Sequence, residues 1–233
     1  MSQKVRPMKV IQNYLKYPEG SCLFHMGETR TLCTVSINTD IPDHAQKSGK
    51  GWLTAEYSML PRATTERTHR GKTASGGRTK EIQRLIGRSV RAVVDLHAIP
   101  ELGIVLDCDV LQADGGTRTA SINGSFIALV QALRRWKKSH GLTAWPVQDY
   151  VAAVSVGLID GKPILDLDYE KDVRAEVDLN VVMTGNGRYV EVQGNAEHKP
   201  FTHAQLLDLL KLAHTGIRQI IQVQKKILGD VRG

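Results

Sequence analysis

The sequence predicts an α/β protein of the α+β type, a duplicated pair of β-rich α/β halves. Three observations carry that prediction. Short runs of β-forming residues flank glycine-containing turns in both halves. Stripes of apolar residues at helical spacing follow those runs, and no long polar linker interrupts the alternation. The 233 residues suffice for a large core. They read as one domain over 1–233 with pseudo-repeat halves at about 1–145 and 146–233. The repetition is one of pattern rather than of residue identity.

Taken in order, Ser21 to His25 and Thr29 to Ile37 flank Gly27-Glu28, a hairpin signal. Ile41 to Gly51 is polar and carries Pro42, Ser48, Gly49 and Gly51, which predicts a loop. Trp52 to Met59 predicts a short strand ended by Pro61. Thr64 to Gly77 has almost no large apolar residue and predicts an exposed, mobile loop. Glu81 to Leu96 places Ile82, Leu85, Ile86, Val90, Val93 and Val94 on one stripe, an amphipathic helix with a basic outer face. Ile104 to Ala113 is a strand, and Ala120 to His140 a second amphipathic helix. Pro146 sits in the connection that follows. Tyr150 to Leu158 and Ile164 to Leu167 flank Asp160-Gly161-Lys162-Pro163, and Val177 to Met183 and Arg188 to Val192 flank Thr184-Gly185-Asn186-Gly187. Thr202 with Gln205 forms a capping-box signature that opens a helix to about Leu228.

Composition narrows the setting. No apolar run reaches the length of a membrane span, and Met1 to Val10 has no apolar signal core, so the expectation is a cytoplasmic protein without membrane contact. Cys22, Cys33 and Cys108 are far apart and form no C-x-x-C pair, which predicts reduced, mostly buried thiols. The chain carries a net charge of +7, and nine basic against two acidic residues between Arg62 and Arg91 account for all of it. A local basic excess of this kind suits a polyanion, although a solvated basic face has the same composition.

The most informative stretch is Gly115-Gly116-Thr117-Arg118-Thr119, set between an acidic strand and a helix. A helix N-terminus leaves backbone N–H groups unpaired and carries partial positive charge. Two glycines let the backbone approach an anion, Thr117 adds a hydroxyl, and Arg118 adds a planar charged fork suited to phosphate. Gly76-Gly77-Arg78-Thr79 repeats that grammar. The plainer alternative is that Thr119 and Thr79 simply cap their helices. The acidic candidates are Asp107/Asp109, Asp166/Asp168 and the group Asp172, Glu176 and Asp178. Residues i and i+2 on a strand share a face, so each close pair can offer oxygens to a hard cation or a proton. Asp166/Asp168 reads more simply as an acidic solvent face. Asp178 opens an apolar strand, where a carboxylate should carry a reason.

Several stretches together resemble the ribonuclease PH family of bacterial phosphate-dependent exoribonucleases. They are Gly51 to Tyr57, Glu81 to Arg88, Asp107 to Ser121, Asp178 to Thr184 and Glu191 to Gly194. The resemblance runs from about Val5 to Leu228. It implies a phosphorolytic 3′-to-5′ exoribonuclease that trims tRNA 3′ ends and releases nucleoside diphosphates, with rRNA as a further substrate. It implies phosphate-binding roles for Arg78, Gly116, Thr117 and Arg118, and catalytic or Mg²⁺-binding roles for Asp172 and Asp178. It implies RNA contacts by Arg62, Arg67 and Arg70. The implied fold is that of ribosomal-protein S5 domain 2-like proteins, and the implied assembly is a ring-shaped homohexamer, a trimer of dimers. Two departures stand out: the family's Arg-Pro-x-Gly-Arg opening is absent before Val5-Arg6-Pro7, and the basic loop between Arg62 and Arg78 is slightly shorter. An inactive RNA-binding ring subunit and a hydrolytic nuclease are the alternatives. The first is opposed by the presence of both arginines and both aspartates, the second by the sparse carboxylates.

Overall fold

A computed structural model describes residues 4–71, 76–197 and 199–232. Five strands build the first sheet: β1 (Met8–Gln12), β2 (Gly20–Met26), β3 (Thr29–Asn38), β4 (Trp52–Met59) and β5 (Gly103–Gln112). Their order is β1-β2-β3-β5-β4, and only the β4–β5 pair is parallel. A parallel neighbour needs a crossover, which here is supplied by a helix from Gly77 to Arg91. Cys22, Cys33 and Cys108 lie opposite one another across β2, β3 and β5 and are free, buried thiols.

The second sheet is antiparallel throughout, in the order β7 (Lys162–Leu165), β6 (Val151–Ile159), β8 (Val177–Thr184), β9 (Tyr189–Ala196). Both predicted hairpins are present. β7 covers only Val156 to Ile159 of β6. The uncovered backbone of β6 is satisfied by side chains instead: Asn123 bonds both the N–H and the C=O of Ala153, and Gln224 donates to Val151 O. A buried strand edge left without partners would be costly, so these two amides complete the ladder.

Five α-helices accompany the sheets among the described residues: α1 (Asp43–Lys47), α2 (Gly77–Arg91), α3 (Thr117–His140), α4 (Tyr169–Arg174) and α5 (His203–Leu228). α1 lies in the segment expected to be a loop. It buries only Ala45, so no apolar stripe announces it. α2 begins at Gly77 and stops at Arg91 rather than spanning Glu81 to Leu96. α3 begins at Thr117. Its buried residues from Thr119 to Leu133 surround the helix rather than forming a stripe. It packs against β2 and β3 on one side and β6 on the other, so it lies between the two sheets. Small residues allow this fit: a side chain at Gly124 would meet Cys33 Sγ and Phe24. α5 opens with the predicted reciprocal capping box of Thr202 and Gln205. Among the described residues no helix is long and apolar enough to cross a membrane.

Candidate active site

The amino ends of α2 and α3 open on the same side as α4 and the start of β8. Between them lies a cavity of about 350 Å³ whose lining includes Arg78, Gly116, Thr117, Arg118, Asp172 and Asp178. All six residues assigned to phosphate and acid chemistry therefore meet in one place, drawn from both halves of the chain.

The glycine pair explains the local backbone. Gly115 and Gly116 have φ of 70° and 64°, in the left-handed region that other residues rarely adopt. Gly116 is the N-cap residue of α3 and Thr117 its first helical residue, so Thr119 is not the cap. Thr119 Oγ1 instead donates to Gly116 O at 2.9 Å. The Thr117 hydroxyl lies 2.9 Å from that of Tyr57, whose phenol burial pushes above its ordinary range. α2 is entered in parallel fashion, with Gly76 as N-cap and Arg78 in the first turn, so Thr79 does not cap it. The two helix N-termini present positive partial charge together with Arg78 and Arg118.

Arg118 is held rather than loose. Its guanidinium donates to Gln193 Oε1 at 3.0 Å and pairs with Glu81 at 3.2 Å, while Gln193 Nε2 donates to the same Glu81 oxygen at 2.7 Å. Nothing local in the sequence marks Glu81 or Gln193 as a partner of Arg118. Both lie in recognisable stretches, but their meeting across 112 residues has no local signal.

The acids differ from one another. Asp178 sits in β8 opposite Gly157 and Asn195. Asn180 Nδ2 donates to its Oδ2 at 3.3 Å, whereas its Oδ1 is buried with no hydrogen-bond partner. Burial, aided by the neighbouring charge of Asp172, pushes the Asp178 carboxyl up to about 6 against the opposing pull of Arg118. Asp172 lies on α4 and is also raised, chiefly by burial, with Arg78 and Arg118 pulling the other way. α4 itself exists because Asp168 caps it, accepting from Lys171 N at 2.9 Å.

Other candidates fall elsewhere. Asp107 and Asp109 face a separate small cleft with Glu56 and are raised chiefly by burial. Asp166 is not on a solvent face. Its side chain is 0% exposed and ion-paired to Arg6 at 2.8 Å, a partner 160 residues away. Arg62, Arg67 and Arg70 are exposed on the segment after β4, whose Thr64 and Thr68 line the cavity wall. Residues 72–75 of the predicted mobile loop, including basic Lys72, lie outside the described residues.

Fold and site together define a class: a mixed α/β enzyme with two sheets, in which helix N-termini and arginines gather beside half-buried carboxylates. Models of the 3′ exoribonuclease family match residues 4–134 as its domain 1 and residues 149–216 as its domain 2. The chain belongs to this family, the RNase PH family. It is 54% identical over 231 residues to the ribonuclease PH of Moorella thermoacetica, covering 98% of this chain and 92% of that one. It is 52% identical to that of Syntrophomonas wolfei, covering 98% and 96%. Among solved structures, rice Rrp46 superimposes with a TM-score of 0.77 at 18% identity, over 97% of this chain and 96% of that chain. The exosome of Archaeoglobus fulgidus with RNA bound to its active site does so with 0.78 at 20%, over 95% and 89%. At those identities the likeness is one of fold.

Proposed function

We propose that this protein shortens RNA from the 3′ end by phosphorolysis, one nucleotide at a time, with tRNA 3′ ends as its principal substrate and rRNA as another. The observation that carries the reading is the gathering of Arg78, Gly116, Thr117, Arg118, Asp172 and Asp178 around a single cavity. Ribonuclease PH enzymes use inorganic phosphate as co-substrate. Phosphate seated on the Gly116–Arg118 turn and Arg78 attacks the phosphorus of the terminal phosphodiester. The bond from phosphorus to the preceding O3′ breaks, and the last residue leaves as a nucleoside diphosphate. The arginines and the fixed N–H groups oppose the negative charge that builds on the phosphoryl oxygens, without reorganising as it does so.

Asp178 has the chemistry of the proton donor to the departing O3′, because its raised carboxyl retains part of its proton near neutrality. The alternative role for the same pair, once ionised, is to hold Mg²⁺. Such ions take one or two carboxylates plus phosphate oxygens, and the unpartnered Asp178 Oδ1 beside Asp172 offers that donor set. When bound, the ion would neutralise charge on the phosphates. Exchange of a phosphodiester for a phosphoanhydride also makes the reaction reversible, so diphosphates would extend RNA when phosphate is scarce.

Arg62, Arg67 and Arg70 would track the RNA backbone near the mouth of the cavity. The likeness in fold to exosome rings supports assembly into a ring, which we take to be a homohexamer built as a trimer of dimers. We read the chain as one domain of two pseudo-repeated halves that acts in the cytoplasm. Incubation with a 3′-extended RNA and Mg²⁺ tests the chemistry. Nucleoside diphosphates should form only when phosphate is added. Monophosphates formed without phosphate would mean hydrolysis and overturn the reading.

A further inference from the structure

The phosphate turn is gripped from behind by a residue that does not line the cavity. Arg6 donates from Nε to Asp166 Oδ2 at 3.0 Å and from Nη2 to Asp166 Oδ1 at 2.8 Å, and its own backbone N–H adds a third bond to Oδ2 at 2.7 Å. The same guanidinium reaches the other way, donating to the carbonyls of Asp114 and Gly115. A Cβ on Gly116 would meet Arg6 Nη2 at 3.2 Å, so the arginine lies directly beneath the N-cap residue of α3.

Two further contacts close the clamp. Thr29, fully buried, donates its hydroxyl to Gly115 O at 2.7 Å and accepts from Asp114 N at 2.9 Å. Asp114 Oδ1 accepts from Tyr169 N, the first residue of α4, which carries Asp172. Asp166, with its own N–H on Ser155 O, is held in the left-handed region at φ 56°.

We propose that Arg6 is a positioning residue for phosphate. One guanidinium ties the Asp114–Gly116 turn of the first sheet to Asp166 of the second, and so sets both the aim of the α3 N-terminus and its spacing from Asp172. The proposal rests on the reading that phosphate binds at this turn. Bidentate geometry is what the arrangement requires. A guanidinium can hold a carboxylate on one edge and carbonyls on another, whereas an ammonium can satisfy the carboxylate but not the whole set.

The test is steady-state phosphorolysis with phosphate and RNA varied separately, in the wild type, Arg6→Lys, Thr29→Val and Arg118→Ala, with thermal unfolding of each. Arg6→Lys keeps a cation against buried Asp166, and Thr29→Val keeps shape while removing the hydroxyl. Either should raise the KM for phosphate on the order of tenfold or more, with the KM for RNA unchanged. A purely structural role would lower the melting temperature or kcat and leave the phosphate KM alone. That result in both variants, with Arg118→Ala raising the phosphate KM, overturns the role of Arg6 and leaves the phosphate site standing. An unchanged phosphate KM in Arg118→Ala instead removes the phosphate site, and this proposal with it.

Discussion

Replacing Asp178 by Asn should make the protein more stable and inactive at once. The carboxyl is displaced from its ordinary value of 3.8 to about 6, chiefly by burial. Holding it ionised in the folded state therefore costs about 3 kcal/mol at pH 8, where it is charged both folded and unfolded. The sign follows from proton counting. Between 3.8 and 6 the folded chain binds more protons than the unfolded one, so stability falls as pH rises through that window. At pH 5 the folded carboxyl is mostly protonated and the cost drops to roughly half. An uncharged Asn escapes this term, and whatever its amide itself costs cancels between the two pH values. The gain from Asp178→Asn should thus be larger at pH 8 than at pH 5, by about 1–2 kcal/mol. Urea unfolding of both proteins at matched concentration measures it, since self-association would otherwise shift the curves. Nucleoside diphosphate release should vanish in the same variant. A stability difference between the two proteins that does not change with pH refutes the account of this carboxyl.

Further consequences can be checked alongside. Gly115→Ala would place a Cβ 2.4 Å from Leu167 O at a φ of 70°, a clash with backbone that cannot rotate away. The left-handed conformation alone costs about 1–2 kcal/mol, so its unfolding midpoint should fall by more than that amount implies, and a wild-type midpoint would contradict the geometry. Arg62→Ala and Arg67→Ala should each weaken RNA binding uniformly across sequences and reduce the salt slope by about one, read from titrations at several salt concentrations. An unchanged slope would remove these residues from the RNA path.

Legibility in the sequence followed the range of the forces involved. Trp52–Met59, both later hairpins and the Thr202–Gln205 box are local, set by β-formers, turn residues and one reciprocal cap, and all form, although β7 starts at Lys162, inside the expected Asp160–Pro163 turn. The two glycine-arginine turns are also local, which is why Arg78 and Arg118 could be named. α1 and α4 are short and owe little to apolar spacing, so periodicity passes over them. α3 looked amphipathic because its inward Ser121, Asn123 and Ser125 are polar, yet each lies buried between the sheets. Asp166 looked like solvent decoration because its cation stands 160 positions earlier. Nothing in the neighbourhood of Gln193 announces that it steadies Arg118.

The bond between Arg6 and Asp166 also fixes when the enzyme can exist. A ribosome adds about 5–20 residues per second, so Arg6 waits roughly ten to thirty seconds for a partner that is 160 residues away. The carboxylates at Asp172 and Asp178 emerge later still. A nascent chain thus carries the Gly115–Arg118 turn before the two aspartates that share its cavity, so the lining of that cavity cannot be complete until Asp178 has emerged.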